Sequence, residues 1–118
     1  MSDEASTAAC IFCRIVRREI PASIVFEDED AIAFQDLTPK APTHLLVIPK
    51  KHIDRLATAE DGDTLLIGRV MKTIVRVAAE RELADYRVVV NNGAGAGQSV
   101  FHLHFHLMAG RAFTWPPG

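Results

Sequence analysis

Residues 101–107 read FHLHFHL, so that histidine alternates with an apolar side chain across seven positions. A period of two is that of an extended strand, whose successive side chains leave opposite faces. The pattern predicts a strand over Val100 to Leu107. His102, His104 and His106 would share one face, and Phe101, Leu103, Phe105 and Leu107 the other. The apolar row must enter a core. The histidine row exceeds what a wet face requires, because lysine, threonine or glutamate would serve solvent equally well. Three histidines spaced along a straight strand cannot easily converge on one ion: neighbours lie roughly 7 Å apart and the outer pair roughly 13 Å, against zinc–nitrogen bonds of about 2.0–2.1 Å. At least one imidazole is left for other work, as nucleophile, base or acid near neutral pH.

The remaining chain predicts what this strand packs against. Ile11 to Arg18 reads as a short helix ending before Pro21, since proline disfavours helical geometry in the residue preceding it. Ile24 to Phe26 and Ala31 to Gln35 flank the acidic turn Glu27-Asp28-Glu29-Asp30 and suggest a hairpin. His44 to Ile48, closed by Pro49, suits a central strand. From Asp63, read as an N-cap, to Glu82, the residues Leu66, Val70, Ile74 and Val77 recur at helical spacing, with Ile67, Met71 and Val75 widening the stripe. Arg87 to Val90 is a further β-branched strand. Strands at both ends with one long helix between them predict an α+β domain: an antiparallel sheet with one long and one or two short helices packed on it.

A chain of 118 residues without repeats or linkers fits one domain spanning residues 1–118, with residues 1–9 a flexible leader. A formal charge of -2 supplies no field that would attract polyanions, so nucleic acid is not the expected partner. The acidic start lacks the basic and apolar regions of an export signal, and no stretch approaches the length of a membrane span. A cytoplasmic location follows as an expectation, in which two cysteines serve as thiols or metal ligands before they serve as a bridge.

Between the last two predicted strands, residues 91–99 read NNGAGAGQS. Gly93, Gly95 and Gly97 leave backbone N–H groups uncovered by side chains, and Ser99 adds a hydroxyl, which suits a phosphate. Such a loop is also an ordinary hairpin connector. Directly before the histidines, however, it would set a phosphate beside an imidazole, and the reaction class becomes nucleophilic attack on phosphorus.

These segments resemble one family. GQSVFHLHFHLMAGR at residues 97–111 resembles the motif of the histidine triad (HIT) superfamily, and residues 20–53 with the ending Trp115-Pro116-Pro117-Gly118 resemble its HINT branch of purine nucleoside phosphoramidases. The likeness covers residues 10–118. It implies a HIT-like homodimer, with the long helix and the tail at its interface. It implies that His104 attacks the α-phosphorus of a purine nucleoside 5′-phosphoramidate or aminoacyl-adenylate to form a nucleotidyl-histidine. His106 and His102 would contact or polarise the phosphate, and His44 would complete the cluster. Asp36 would accept hydrogen bonds from the ribose hydroxyls. Asn91, Gly97, Gln98 and Ser99 would meet the phosphate and leaving group, while Ile20, Phe34 and Leu37 wall the base. On local grounds alone, Asp36 before Pro39 is equally a turn residue and His44 equally a core histidine.

Cys10-Ile11-Phe12-Cys13 has the spacing of half a zinc site. Some bacterial-type members of the superfamily bind structural zinc through such a pair with two histidines, and the resemblance implies Cys10, Cys13, His52 and His102 as the ligands here. A reduced thiol pair and a redox dithiol are the alternatives. A zinc-bound His102 could not also act as a free acid. Three activities compete with the phosphoramidase: hydrolysis of dinucleoside polyphosphates, as in a sister branch; a nucleotide- or partner-binding module; and a metal-dependent hydrolase.

Overall fold

The computed structural model describes residues 7–118. Of the leader expected over residues 1–9, residues 1–6 lie outside the described residues and residues 7–9 are helical. The helix α1 (Ile11–Val16) is capped by Cys10, whose Sγ accepts the Cys13 amide at 3.3 Å, and it buries Phe12, Cys13 and Ile15. It stops two residues short of the expected Arg18. The Arg18 amide donates to the Ile15 carbonyl and the Glu19 amide to that of Arg14, with Arg18 at φ 63°, a paired closure that satisfies the last carbonyls and ends the helix.

Five strands follow: β1 (Ile24–Glu27), β2 (Ala31–Gln35), β3 (Thr43–Pro49), β4 (Arg87–Val90) and β5 (Phe105–Ala109), in the spatial order β1-β2-β3-β5-β4 and antiparallel throughout. The expected hairpin forms because Asp28 Oδ1 accepts the amides of Asp30 and Ala31 at 2.8 and 2.9 Å, drawing the acidic turn tight. β3 is the central strand, as its uninterrupted apolar run predicts, and Pro49 closes it.

The long helix α2 (Thr64–Glu80) covers one face of the sheet. Val70, Ile74, Val77 and Ala78 pack with Ala31, Ala33, Leu45, Val47 and Leu107 into one core cluster. Full burial of each large aliphatic side chain is worth about 1.5–3 kcal/mol relative to exposure. Three expectations change here. Asp63 stands at the N-cap position, but its carboxylate accepts from the Glu60 amide and pairs with Lys51, fastening the preceding turn. The helix ends at Glu80 because Glu82 adopts φ 57° and the Glu82 and Leu83 amides close on the Ala79 and Ala78 carbonyls. The buried stripe is also narrower than expected: Met71 and Val75 are 40% and 47% exposed. Each lies one residue, about 100° of helical rotation, beyond Val70 or Ile74.

The opposite sheet face carries Ile32, Phe34, Leu46 and Ile48, which pack with Phe12 and Ile15 of α1. Because both faces are covered, β2 and β3 read as continuous apolar runs and do not alternate with polar residues. The last strand departs from its expectation at both ends, starting at Phe105 and reaching Ala109. Upstream of Phe105 the chain is held by other bonds: the Leu103 amide donates to the Ile53 carbonyl at 2.7 Å, and Gln98 Nε2 donates to the Val100 carbonyl at 3.1 Å. His102 and His104 therefore lie outside the strand, yet the alternation persists: Leu103, Phe105 and Leu107 enter the core under α2, while His102 and His104 meet Phe12 of α1 on the other side and His106 lines the same cavity as His104. No helix among the described residues is long and apolar enough to cross a membrane.

Candidate functional site

Two histidine clusters meet at the segment before β5. In the first, His102 is fully buried and its ring faces the cysteines of α1. Its Nδ1 lies 3.4 Å from Cys10 Sγ and 3.5 Å from Cys13 Sγ, while His52 Nδ1 lies 3.2 Å from Cys13 Sγ. All four donor atoms lie within 4.8 Å of one another. Around a tetrahedral zinc, with bonds of about 2.3 Å to sulfur and 2.0–2.1 Å to nitrogen, adjacent sulfur and nitrogen ligands stand roughly 3.6 Å apart. The donor set therefore fits such an ion. The outer nitrogen of His102 fits too: Nε2 donates to the Pro49 carbonyl at 2.8 Å, which leaves Nδ1 unprotonated toward the thiols.

Burial, reinforced by the neighbouring Cys10, pushes the Cys13 thiol up to about 12, and burial holds His102 down to about 4 against the raising effect of the Pro49 carbonyl.

The second cluster lines a cavity of about 330 Å³ between α1 and strands β2, β3 and β5. His104 and His106 stand on its wall with Ser99 and Asp36, and Ile20, Phe34 and Leu37 contribute apolar surface. Leu37 lies at the rim, 93% exposed. His104 Nδ1 is 2.8 Å from the His102 carbonyl. A carbonyl only accepts, so Nδ1 carries the proton and Nε2 keeps the lone pair, the form a nucleophile requires. Phe12 meets the ring edge-on, with centroids 5.2 Å apart and planes at 89°. That contact braces the His104 ring from the α1 side.

His44 Nε2 lies 2.9 Å from His106 Nδ1, and His44 Nδ1 accepts the Lys40 amide at 2.9 Å. Asp36 Oδ2 lies 3.5 Å from His44 Nε2, and its Oδ1 accepts from the Thr38 amide and hydroxyl, so Asp36 forms a turn and lines the cavity as well. Burial, helped by His104 and His44 and opposed by Asp36, lowers His106 to about 4. Burial also lowers His44, with Asp36 opposing and Lys40 assisting.

The glycine loop is organised differently from its sequence-based expectation. A short 3-10 turn occupies Ala94–Ala96 between Gly93 at φ 93° and Gly97 at φ 100°. The amides of Ala96, Gly97 and Gln98 donate to carbonyls within the loop, and that of Gly93 donates to Gln98 Oε1. The backbone donors expected from Gly93 and Gly97 are thus engaged, and Ser99 is the loop residue on the cavity wall. Gln98 is buried with its amide bound to the Asp54 and Val100 carbonyls, which makes it the tie that holds the loop. Asn91 sits under the loop, its side chain facing Gly97.

Three participants have no signal in the residue pattern. The Pro49 carbonyl and the Lys40 amide act through main-chain atoms, which every residue carries. Phe12 reads as an ordinary core residue of an amphipathic turn, and only folding sets it against His104.

A model of the HIT domain matches residues 17–113. An uncharacterized HIT-like protein of Synechocystis sp. is 50% identical over 109 residues, covering 92% of this chain and 96% of its own. A HIT family hydrolase from Legionella pneumophila superposes with a TM-score of 0.90 at 47% identity, covering 92% of this chain and 99% of that one. A second HIT family hydrolase, from Clostridium thermocellum, has a TM-score of 0.86 at 40% identity, with coverages of 90% and 94%.

Proposed function

The chain belongs to the HIT domain family, and from that membership we propose that it is a nucleoside phosphoramidase, cleaving the P–N bond of purine nucleoside 5′-phosphoramidates, aminoacyl-adenylates included, and releasing the nucleoside monophosphate. The observation that carries this reading is His104, whose Nδ1 is committed to the His102 carbonyl so that Nε2 serves the cavity shared with Ser99, Asp36 and His106.

In the first step Nε2 of His104 attacks the α-phosphorus. The P–Nε2 bond forms, the P–N bond of the substrate breaks, and the amine leaves with its electron pair and a proton. In the second step water attacks the nucleotidyl-histidine, phosphorus gains an oxygen, a proton is released, and His104 returns with its lone pair. The intermediate is sound chemistry because a neutral imidazole is both a competent nucleophile and a fair leaving group. Ser99 and His106 offer hydrogen bonds to the phosphate oxygens as charge builds on them. Asp36 presents acceptor oxygens toward the ribose, and Ile20, Phe34 and Leu37 offer apolar contact to the base.

The zinc belongs to the same proposal as a structural ion held by Cys10, Cys13, His52 and His102. When bound, it supplies a four-ligand cross-link between α1, the segment after β3 and the segment before β5. No ligand position is left over for water, which speaks for stability and against metal-dependent hydrolysis. A homodimer is supported by the outer face of α2, where Leu65, Met71 and Val75 are exposed, and by Trp115, which is 83% exposed in the tail.

The deciding experiment incubates the protein with adenosine 5′-phosphoramidate, follows AMP release, and quenches early to isolate a labelled adenylyl-protein. Label on His104 and its absence in a His104→Ala protein support the reading. AMP binding without turnover by the intact protein would replace it with the binding module.

A further inference from the structure

Lys40 lies in the bend between β2 and β3 and enters the site through its main chain, donating its amide to His44 Nδ1 at 2.9 Å. A peptide N–H can only donate. His44 Nδ1 therefore carries a lone pair, and a neutral imidazole must then hold its one proton on Nε2. That Nε2 faces two acceptors, His106 Nδ1 at 2.9 Å and the Asp36 carboxylate at 3.5 Å. Donation to His106 Nδ1 requires a lone pair there, which places the His106 proton on its own Nε2.

We propose that the Lys40 amide, relayed through His44, holds His106 as a neutral imidazole protonated on Nε2, so that His106 offers the phosphate a fixed hydrogen bond and not a transferable proton. His44 is by this account a positioning residue. What His106 donates to rests on the phosphoramidase reading; the tautomer itself belongs to the free protein and does not.

The geometry closes both routes by which His106 could act as an acid. Surrendering the Nε2 proton would leave an imidazolate, and His44 could repair it only by becoming an imidazolate itself, since its Nδ1 already accepts from Lys40. Charging His106 beforehand would need a proton on Nδ1, pointed at the Nε2–H of His44. The groups facing His106 are the rings of His104, at a centroid distance of 5.1 Å, and His44, with Asp36 as the nearby carboxylate. The two imidazoles and burial oppose a charged His106 more strongly than Asp36 favours it.

Two consequences follow. Asp36, His44 and His106 hold their donor atoms within 4.8 Å, close enough for a metal site, yet His44 Nε2 has no lone pair to give, so the trio is not one. The departing amine takes its proton from water, and the hydroxide left behind is neutralised by the proton released when a second water displaces His104 from phosphorus.

The test uses a pair of variants of matched shape and opposite polarity, His44→Gln and His44→Glu. A glutamine amide can donate to His106 Nδ1; a glutamate carboxylate only accepts and forces a proton onto it. Long-range 1H–15N spectra of histidine-labelled protein, recorded without substrate at pH 7, should give His106 as the neutral Nε2–H form in the wild type and in His44→Gln. They should give a protonated Nδ1 in His44→Glu. On adenosine 5′-phosphoramidate, His44→Gln should turn over at least ~10-fold faster than His44→Glu, the effect of one misdirected donor on developing charge.

A wild-type His106 found with its proton on Nδ1, or as an imidazolium at pH 7, overturns the proposal, as does equal turnover by the two variants. The wild-type spectrum decides even if His44→Glu fails to fold. If every phosphoramidate resists hydrolysis while the spectrum shows Nε2–H, the tautomer assignment stands and the phosphoramidase reading falls.

Discussion

His102 touches both halves of the site: its ring reaches the thiols of Cys10 and Cys13, while its carbonyl oxygen receives Nδ1 of His104 at 2.8 Å. One residue therefore joins the cysteine–histidine cluster to the proposed nucleophile.

The first prediction concerns that cluster. Protein prepared in zinc-containing medium should carry about one zinc per chain, the stoichiometry of one four-ligand site. Cys13→Ser should lose it and melt at lower temperature. A strong chelator should lower the melting temperature before it lowers turnover; elemental analysis beside calorimetry reads both. Immediate loss of turnover with unchanged melting would point to a metal in the chemistry. Because burial keeps the metal-free Cys13 thiol protonated up to about 12, zinc uptake must release protons and should weaken as the pH falls.

His104→Ala should lower AMP release at least ~10³-fold, because the covalent route is gone, while AMP affinity changes by less than ~10-fold. Single-turnover kinetics and calorimetric titration separate the two.

Asp36→Asn should weaken binding of a ribonucleotide about 10- to 100-fold, the cost of losing charged acceptors for hydroxyls. It should leave a 2′,3′-dideoxynucleotide nearly unaffected. Equal losses on both ligands would show that Asp36 acts through the Thr38 turn and His44 contact alone.

Acid should unfold the protein through its buried imidazoles. His106 titrates at about 4 in the fold against an ordinary 6.5, and His44 is lowered as well. The unfolded chain thus binds more protons in between, so their contribution is complete above pH 6.5 and declines as pH falls toward 4. Each fully linked proton costs up to about 1.4 kcal/mol per pH unit. Urea melts from pH 8 to pH 4 should show a plateau followed by this decline, and His106→Gln should flatten the decline.

Gly110→Ala should destabilise by about 1–3 kcal/mol, the range for a side chain forced into a left-handed backbone. Gly110 has φ 97°, and a Cβ there would stand 2.8 Å from Cβ of Pro42. Chemical denaturation measures the loss; a neutral result would mean that the Pro42 bend yields.

The hairpin around Asp28, the central run of β3 and the span of α2 to within two residues at its end were legible because each depends on local chemistry: a turn carboxylate, a doubly covered apolar run, a 3.6-residue stripe. The helix ends were not. Arg18 and Glu82 adopt positive φ without being glycine, so no residue type marks them. The triad was legible as a set of residues and as one side of the sheet, since Leu103, Phe105 and Leu107 enter the α2 core while His102, His104 and His106 lie on the α1 side. The start of the strand was not, because the Leu103 amide pairs with the Ile53 carbonyl and the ladder begins only at Phe105.

The sequence by itself determined which side chains this protein has for chemistry and which strands and helices would hold them, because burial patterns and spacing are written in residue types. Only the tertiary structure decided the division of labour among the histidines. It sends His102 to the cysteines, His104 to the cavity and His106 to His44 by means of the carbonyls of Pro49 and His102 and the amide of Lys40. Main-chain groups are the same in every residue, so the protonation pattern they impose appears only once the chain has folded around them.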